Sequence, residues 1–107
     1  MIDKLRLEFP STKIFTIPTG RASIPLDQMN MDNNLLDQIA RFGPQSTSLF
    51  VDKKGHQGDI IIVTGSLLWL NSIYRVNLST FAYVIGFNTD LHEIAIQIMD
   101  NHDSNYK

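Results

Sequence analysis

The sequence contains no cysteine, no block of basic residues and no long uninterrupted apolar run. The absence of cysteine excludes disulfides, thiolate metal sites and cysteine nucleophiles together. Nine Lys and Arg residues against eleven Asp and Glu residues give a formal charge of −2. Without a basic block the chain has no obvious source of phosphate-backbone contacts. Direct nucleic-acid binding is therefore not expected.

The sequence also has little that would place it in a membrane. The first twelve residues, MIDKLRLEFPST, contain no apolar core of signal-peptide length, and no run approaches the roughly 18 apolar residues of a membrane span. We expect a soluble, cytoplasmic chain without membrane contact. Its 107 residues, 43% of them hydrophobic and 19% charged, are typical of one ordinary globular domain.

The region 58–88 predicts three consecutive strands. Residues 60–63 (IIIV) form a β-branched run between Gly-Asp and Gly-Ser pairs, as in a strand buried on both faces. Residues 68–76 alternate between two mixed faces, and residues 81–87 (FAYVIGF) form a third run that ends at an Asn-Thr turn. Short connections between successive strands indicate an antiparallel sheet.

One short amphipathic helix is predicted to cover this sheet, over residues 32–42. Asp32 is a good N-cap, and Gly43-Pro44 ends the helix. Residues 48–52 (SLFVD) are a fourth strand candidate, followed by a polar turn. The apolar stripe of the predicted helix consists of Leu35, Leu36, Ile39 and Phe42.

The two ends are less regular. Residues 1–23 contain two short alternating segments broken by prolines, which favours edge strands or an extended arm. Residues 24–99 form the predicted β-rich domain, and residues 100–107 are a polar tail expected to fray. The fold class is therefore α+β and mostly β, with a small twisted antiparallel sheet.

Residues 90–99 allow two interpretations. Asp90 and Glu93 fit a capping box that opens a helix with a stripe of Leu91, Ile94 and Ile98. The alternation of Ile94, Ile96 and Ile98 with smaller or polar residues equally fits a strand.

The sequence shows no clear catalytic or metal-binding motif. His56, His92 and His102 lie in no HxH or HxxxH pattern, and no serine lies in a GxSxG elbow. The glycines form no phosphate-binding loop. No cofactor and no metal are expected. The weakest of the functional alternatives is a hydrolase that uses His92 with Asp90 or Glu93.

Several stretches, in the right order, resemble the C-terminal domain of the LexA and UmuD family of self-cleaving SOS proteins, and UmuD most. The resemblance covers roughly residues 24–98 and favours the strand interpretation of the tail. The matching stretches are DNNLL at 32–36, TSLFVDKKG at 47–55, GDIII at 58–62, SIYRVNL at 72–78 and VIGFN at 84–88.

The catalytic pair of that family is missing. Only His56 and Gln57 separate Gly55 from Gly58-Asp59, where the family has a segment of about twenty residues with the nucleophilic serine. Tyr74 aligns with the lysine that serves as general base, and tyrosine is a poor substitute for it. The resemblance therefore implies a chain that does not cleave itself.

The resemblance implies a non-catalytic interaction protein of the DNA-damage (SOS) response. Such a protein is expected to form a homodimer and to bind an error-prone translesion polymerase, the RecA filament or an intact family member. Thr19-Gly20 loosely resembles the family's processing site, although a simple turn is the favoured interpretation. The predicted partner-binding residues are Trp69, Ile73, Tyr74, Ile94 and Ile96.

A second hypothesis comes from a different functional class. A small inhibitor or immunity-type protein would block an unrelated protein target with the same sheet. The mild acidity of the chain suits binding to a basic surface.

Overall fold

The computed structural model describes residues 1–107 and is built mainly from helices. Its regular structure comprises four α-helices, three short 3₁₀ helices and one two-stranded parallel sheet. The prediction of a mostly β fold with a twisted antiparallel sheet is therefore wrong. The helices are α1 (Ile2–Glu8), α2 (Ser23–Met31), α3 (Asp59–Tyr74) and α4 (Leu91–Asp100), and the strands are β1 (Ala40–Phe42) and β2 (Ser48–Phe50).

Helix α3 is the central element, and it lies where the sequence predicts two strands. Its buried side chains recur every three or four residues, which is the period of a helix. A continuous apolar run hides this period, because a buried helix and a strand buried on both faces then have the same composition. The predicted strand boundary at Gly65-Ser66 lies in the middle of the helix. The buried residues are Ile60, Ile61, Thr64, Gly65, Leu67, Leu68 and Ser72.

Local signals set both ends of α3. Gly58 is extended, with φ −79° and ψ 173°, and Asp59 places a favourable negative charge in the first turn. At the other end Arg75 adopts the left-handed conformation, with φ 56° and ψ 29°, and its N–H donates to the carbonyl of Asn71. The side-chain amide of Asn71 donates to the carbonyl of Val76 at 3.0 Å and fixes the exit of the chain.

The third predicted strand, residues 81–87, is an irregular segment. Because α3 is a helix, the segment 81–87 has no neighbouring strand to pair with. It lies instead along the surface of α3. The rings of Phe81 and Tyr83 stack with their centroids 5.9 Å apart. Gly86 has φ 78°, which allows the chain to turn toward α4.

The helix predicted over residues 32–42 is also wrong. The chain leaves α2 at Met31, Asn33 adopts a left-handed conformation with φ 56°, and the last three residues of the predicted helix form β1. Strand β1 pairs in parallel with β2, so that Phe42 lies beside Phe50. The predicted strand at 48–52 is confirmed over Ser48–Phe50.

Two further helices lie where prolines favour extended chain. Helix α1 replaces the first predicted edge strand. Pro25 is the third residue of α2, and this position needs no intrahelical N–H bond, so the proline is tolerated there.

For residues 90–99 the helical interpretation is confirmed and the strand interpretation is wrong. The Asp90 carboxylate accepts a hydrogen bond from the N–H of Glu93 at 3.1 Å and caps α4. The buried side of α4 is formed by Leu91, Ile94, Ala95, Ile98 and Met99.

The core lies where α3 packs against α4, with the 3₁₀ helix Thr19–Ala22 and β2 on its flanks. The polar tail, which composition predicts to fray, is hydrogen bonded to the N-terminal segment. The N–H of Thr16 donates to the carbonyl of Tyr106 at 2.7 Å, and His102 Nε2 lies 3.0 Å from Thr16 Oγ1. The division of the chain at residues 23 and 99 stays a prediction.

Candidate functional site

The exposed side of α3 is a feature that packing inside the molecule does not explain. Four of its side chains, Ile62, Ser66, Trp69 and Ile73, share one narrow strip of the helix, and we call this strip the α3 face. The three large apolar residues are 42%, 50% and 44% exposed respectively. The strip carries no charged residue, since Asp59 at the start is the only charged residue within α3. A solvent-facing strip of a helix is normally polar or charged.

Trp69 is held in place on this face. Its Nε1–H donates to the Thr19 Oγ1 at 3.0 Å. The methyl group of Thr19 packs over Gly65, one turn earlier in the helix, where an added Cβ would lie only 3.2 Å away. Thr19 therefore orients the indole while leaving half of the ring exposed, an arrangement suited to contact with another molecule.

An apolar groove runs beside the α3 face. It has a volume of about 240 Å³ and lies between α3 and the irregular segment 81–87. Ser66 lines the groove and also belongs to the α3 face, so the face and the groove are adjacent. The other lining residues are Val63, Leu67, Leu70, Phe81, Tyr83 and Ile85.

The structure brings together some of the predicted partner-binding residues and separates others. Trp69 and Ile73 lie on the α3 face, and Tyr74, at the end of α3, is 73% exposed. Ile94 is 7% exposed and belongs to the core, and Ile96 is partly buried against it.

Sequence reasoning missed Ile62 and Ser66. The sequence places Ile62 in a strand buried on both faces and Ser66 at the boundary that follows it, whereas both are exposed in α3. The signal that identifies them is the spacing of 62, 66, 69 and 73, which follows one side of a helix and has no meaning in a strand.

The structure separates the side chains of the predicted hydrolase alternative. The Asp90 carboxylate caps α4, and His92 Nε2 is buried with no hydrogen-bond partner, beside the ring of Phe81. His92 is thus not hydrogen bonded to Asp90 or Glu93. No group of three or more His, Asp or Glu side chains is placed to hold a metal ion.

The His56 ring and the Asp52 carboxylate are hydrogen bonded on the polar turn after β2. The hydrogen bond from His56 holds the pKa of Asp52 below its ordinary value. Both side chains are exposed, so this pair is a local feature of the turn.

Asp37 joins the segment before β1 to the start of α4. Its carboxylate accepts hydrogen bonds from the N–H of Asn88 and from the N–H and hydroxyl of Thr89, at 2.9, 2.9 and 2.7 Å. Burial raises the pKa of Asp37, but these three donors outweigh it and hold the pKa below the ordinary value. A polar cavity of about 690 Å³ lies beside this junction.

Asp37→Asn should lower the free energy of unfolding, and the size of this loss should depend on pH. Because the folded pKa is lowered, the ionised carboxylate stabilises the fold above pH 4, and this contribution is lost as pH falls through the folded pKa. We expect a loss of about 1 kcal/mol at pH 7 that shrinks as the pH falls through the folded pKa. Urea unfolding over a series of acid and neutral pH values measures it. Asp27→Asn, which breaks only the exposed pair with Arg41, should change little over the same series.

None of the helices has the combination of length and apolar character needed to cross a membrane. Thr19, at the predicted processing position, begins a 3₁₀ helix, and its side chain contacts α3. Comparison of the chain with models of protein families, with curated proteins and with solved structures gave no significant match.

Proposed function

We propose that this chain works as a protein-binding module and that its partner contacts the α3 face. The observation that carries the proposal is the uncharged strip on the central helix with the half-exposed, hydrogen-bonded Trp69 at its middle. Exposed apolar patches bordered by polar residues are typical of protein interfaces, and tryptophan is enriched among the residues that dominate their affinity.

The role in the DNA-damage response stays a prediction with less support. The contacts implied by the LexA and UmuD resemblance belong to strands of an antiparallel sheet, which the fold does not contain. The part of that hypothesis we retain is association with another protein, now assigned to a helix. An unrelated inhibited target is the second candidate, and the same experiment separates the two.

Ile73→Lys should abolish partner binding without unfolding the chain. Ile73 is 44% exposed in the last turn of α3, where a positive charge is compatible with the helix dipole, but a lysine cannot be buried unpaired against an apolar partner. Affinity capture from the source organism, with wild type and variant as baits, measures the loss. Val84→Lys, at a residue 85% exposed and outside α3, is the matched control.

The expected result is one or more proteins retained by wild type and Val84→Lys and lost with Ile73→Lys. Their identity then distinguishes proteins of the damage response, an inhibited target and further copies of the chain. Identical capture by all three baits would contradict the proposal.

A further inference from the structure

The molecule exposes more surface than its mass requires. A folded monomer of 12.2 kDa exposes about 6,100 Å², whereas this chain exposes 7025 Å², an excess of roughly 900 Å². The radius of gyration is 15.3 Å, compared with about 13 Å for a compact domain of this length. The elongated molecule, with principal extents of 46, 34 and 20 Å, therefore offers more surface for an interface than a compact monomer does.

The spacing of side chains on the α3 face is self-complementary. When two α3 helices lie antiparallel, with the twofold axis midway between Leu67 and Leu68, Ile62 lies opposite Ile73 of the other helix. In the same register the small Ser66 lies opposite the large Trp69. Such large-to-small matching allows two helices to pack closely, and an interface related by a twofold axis requires a surface that matches itself.

We propose that the occupant of the α3 face is the α3 face of a second copy of this chain, packed antiparallel in this register. The inference rests on the proposed binding function of the same face and names its partner. The exposed half of the Trp69 ring then packs over Ser66 of the second copy and reaches the apolar groove beside it.

Light scattering after size-exclusion chromatography tests the association. The wild type should have twice the chain mass of 12.2 kDa. Ile73→Lys should raise the dimer dissociation constant about tenfold or more, because the change occurs twice in the symmetric interface. Val84→Lys should leave the dissociation constant unchanged. A wild type that stays monomeric up to roughly 100 µM would overturn the inference.

Cysteine crosslinking tests the register, and the chain contains no cysteine that would interfere. The double variant Ile62→Cys, Ile73→Cys should form a covalent dimer under mild oxidation, because facing positions approach within disulfide reach. Positions 62 and 73 lie about 16 Å apart along one helix, so no bond forms within a chain. The same distance separates position 62 from its own symmetry mate, and each single variant should therefore crosslink poorly.

The outcomes separate the two proposals. A monomeric chain that captures another protein through the α3 face would overturn the second copy as occupant and leave the binding function standing. Single variants that crosslink as fast as the double variant would overturn the antiparallel register. A monomer whose capture is unaffected by Ile73→Lys would overturn both.

Discussion

Replacing Ser66 with proline should lower the free energy of unfolding by about 3 kcal/mol or more, because it places proline in the interior of α3. Proline has no backbone N–H to bond the preceding turn, and its ring clashes with the carbonyl four residues earlier. A loss of this size is a large share of the 5–15 kcal/mol that stabilises a typical domain. Urea unfolding followed by far-ultraviolet circular dichroism measures it.

The matched control is Ser66→Ala. The Ser66 hydroxyl is exposed and donates only to the carbonyl of Ile62 within the same helix, at 2.9 Å. Alanine loses this local bond but favours the helix more than serine does, so we expect a change within about 0.5 kcal/mol. If Gly65-Ser66 were instead a turn between two strands, proline would be tolerated there. Equal stability of the two variants would therefore contradict the helical assignment.

Elements with a local signal are the ones for which the sequence offers the correct interpretation, although for residues 90–99 a strand stays open beside it and the resemblance favours that strand. Helix α4 has a capping residue, Asp90, and a stripe on one side, and its helical interpretation is confirmed by the hydrogen bond to Glu93. The short strand β2 likewise lies within residues 48–52 (SLFVD), the predicted fourth strand. In both cases the pattern within about ten residues determines the structure.

Helix α3 could not be recognised in this way. Ten of its residues are apolar by the usual classification of Ile, Val, Leu, Trp and Tyr, and they are distributed around the whole helix. The side-chain pattern alone therefore does not distinguish helix from strand. What decides the structure is packing against α4 and the 3₁₀ helix Thr19–Ala22, contacts between residues far apart in the sequence. Gly65 is an example. In the sequence it marks the end of a predicted strand, but in the fold its missing side chain lets Thr19 pack closely against α3.

The candidate site was only partly predictable for the same reason. Trp69, Ile73 and Tyr74 stand out as large apolar residues in any secondary structure, and all three are exposed. Their grouping with Ile62 depends on the helical period of α3. The four residues of the α3 face can match a second copy only because they lie on one side of a helix, where residues four and seven positions apart are neighbours.

The contact that places α3 in the fold is the one between Gly58, the residue before the helix, and β2. Gly58 precedes the helix directly, and its N–H donates to the carbonyl of Leu49 at 2.6 Å. The backbone of β2 lies so close that a Cβ on Gly58 would be 1.8 Å from the carbonyl oxygen of Ser48 and 3.1 Å from that of Gln45. Only glycine leaves room for this approach, and the atoms that would have to move are backbone atoms.

Gly58→Ala should therefore lower the free energy of unfolding by about 3 kcal/mol or more, since either β2 or the start of α3 must shift. Gly20→Ala is the matched control, because an added Cβ at Gly20 meets nothing within 4 Å, and we expect it to be neutral or slightly stabilising. Urea unfolding of the two variants measures the difference, and equal stabilities would contradict the close contact. Light scattering adds a second distinction. Gly58→Ala should weaken both folding and self-association, whereas Ile73→Lys should weaken self-association alone, because the first change displaces α3 and the second alters only its exposed side.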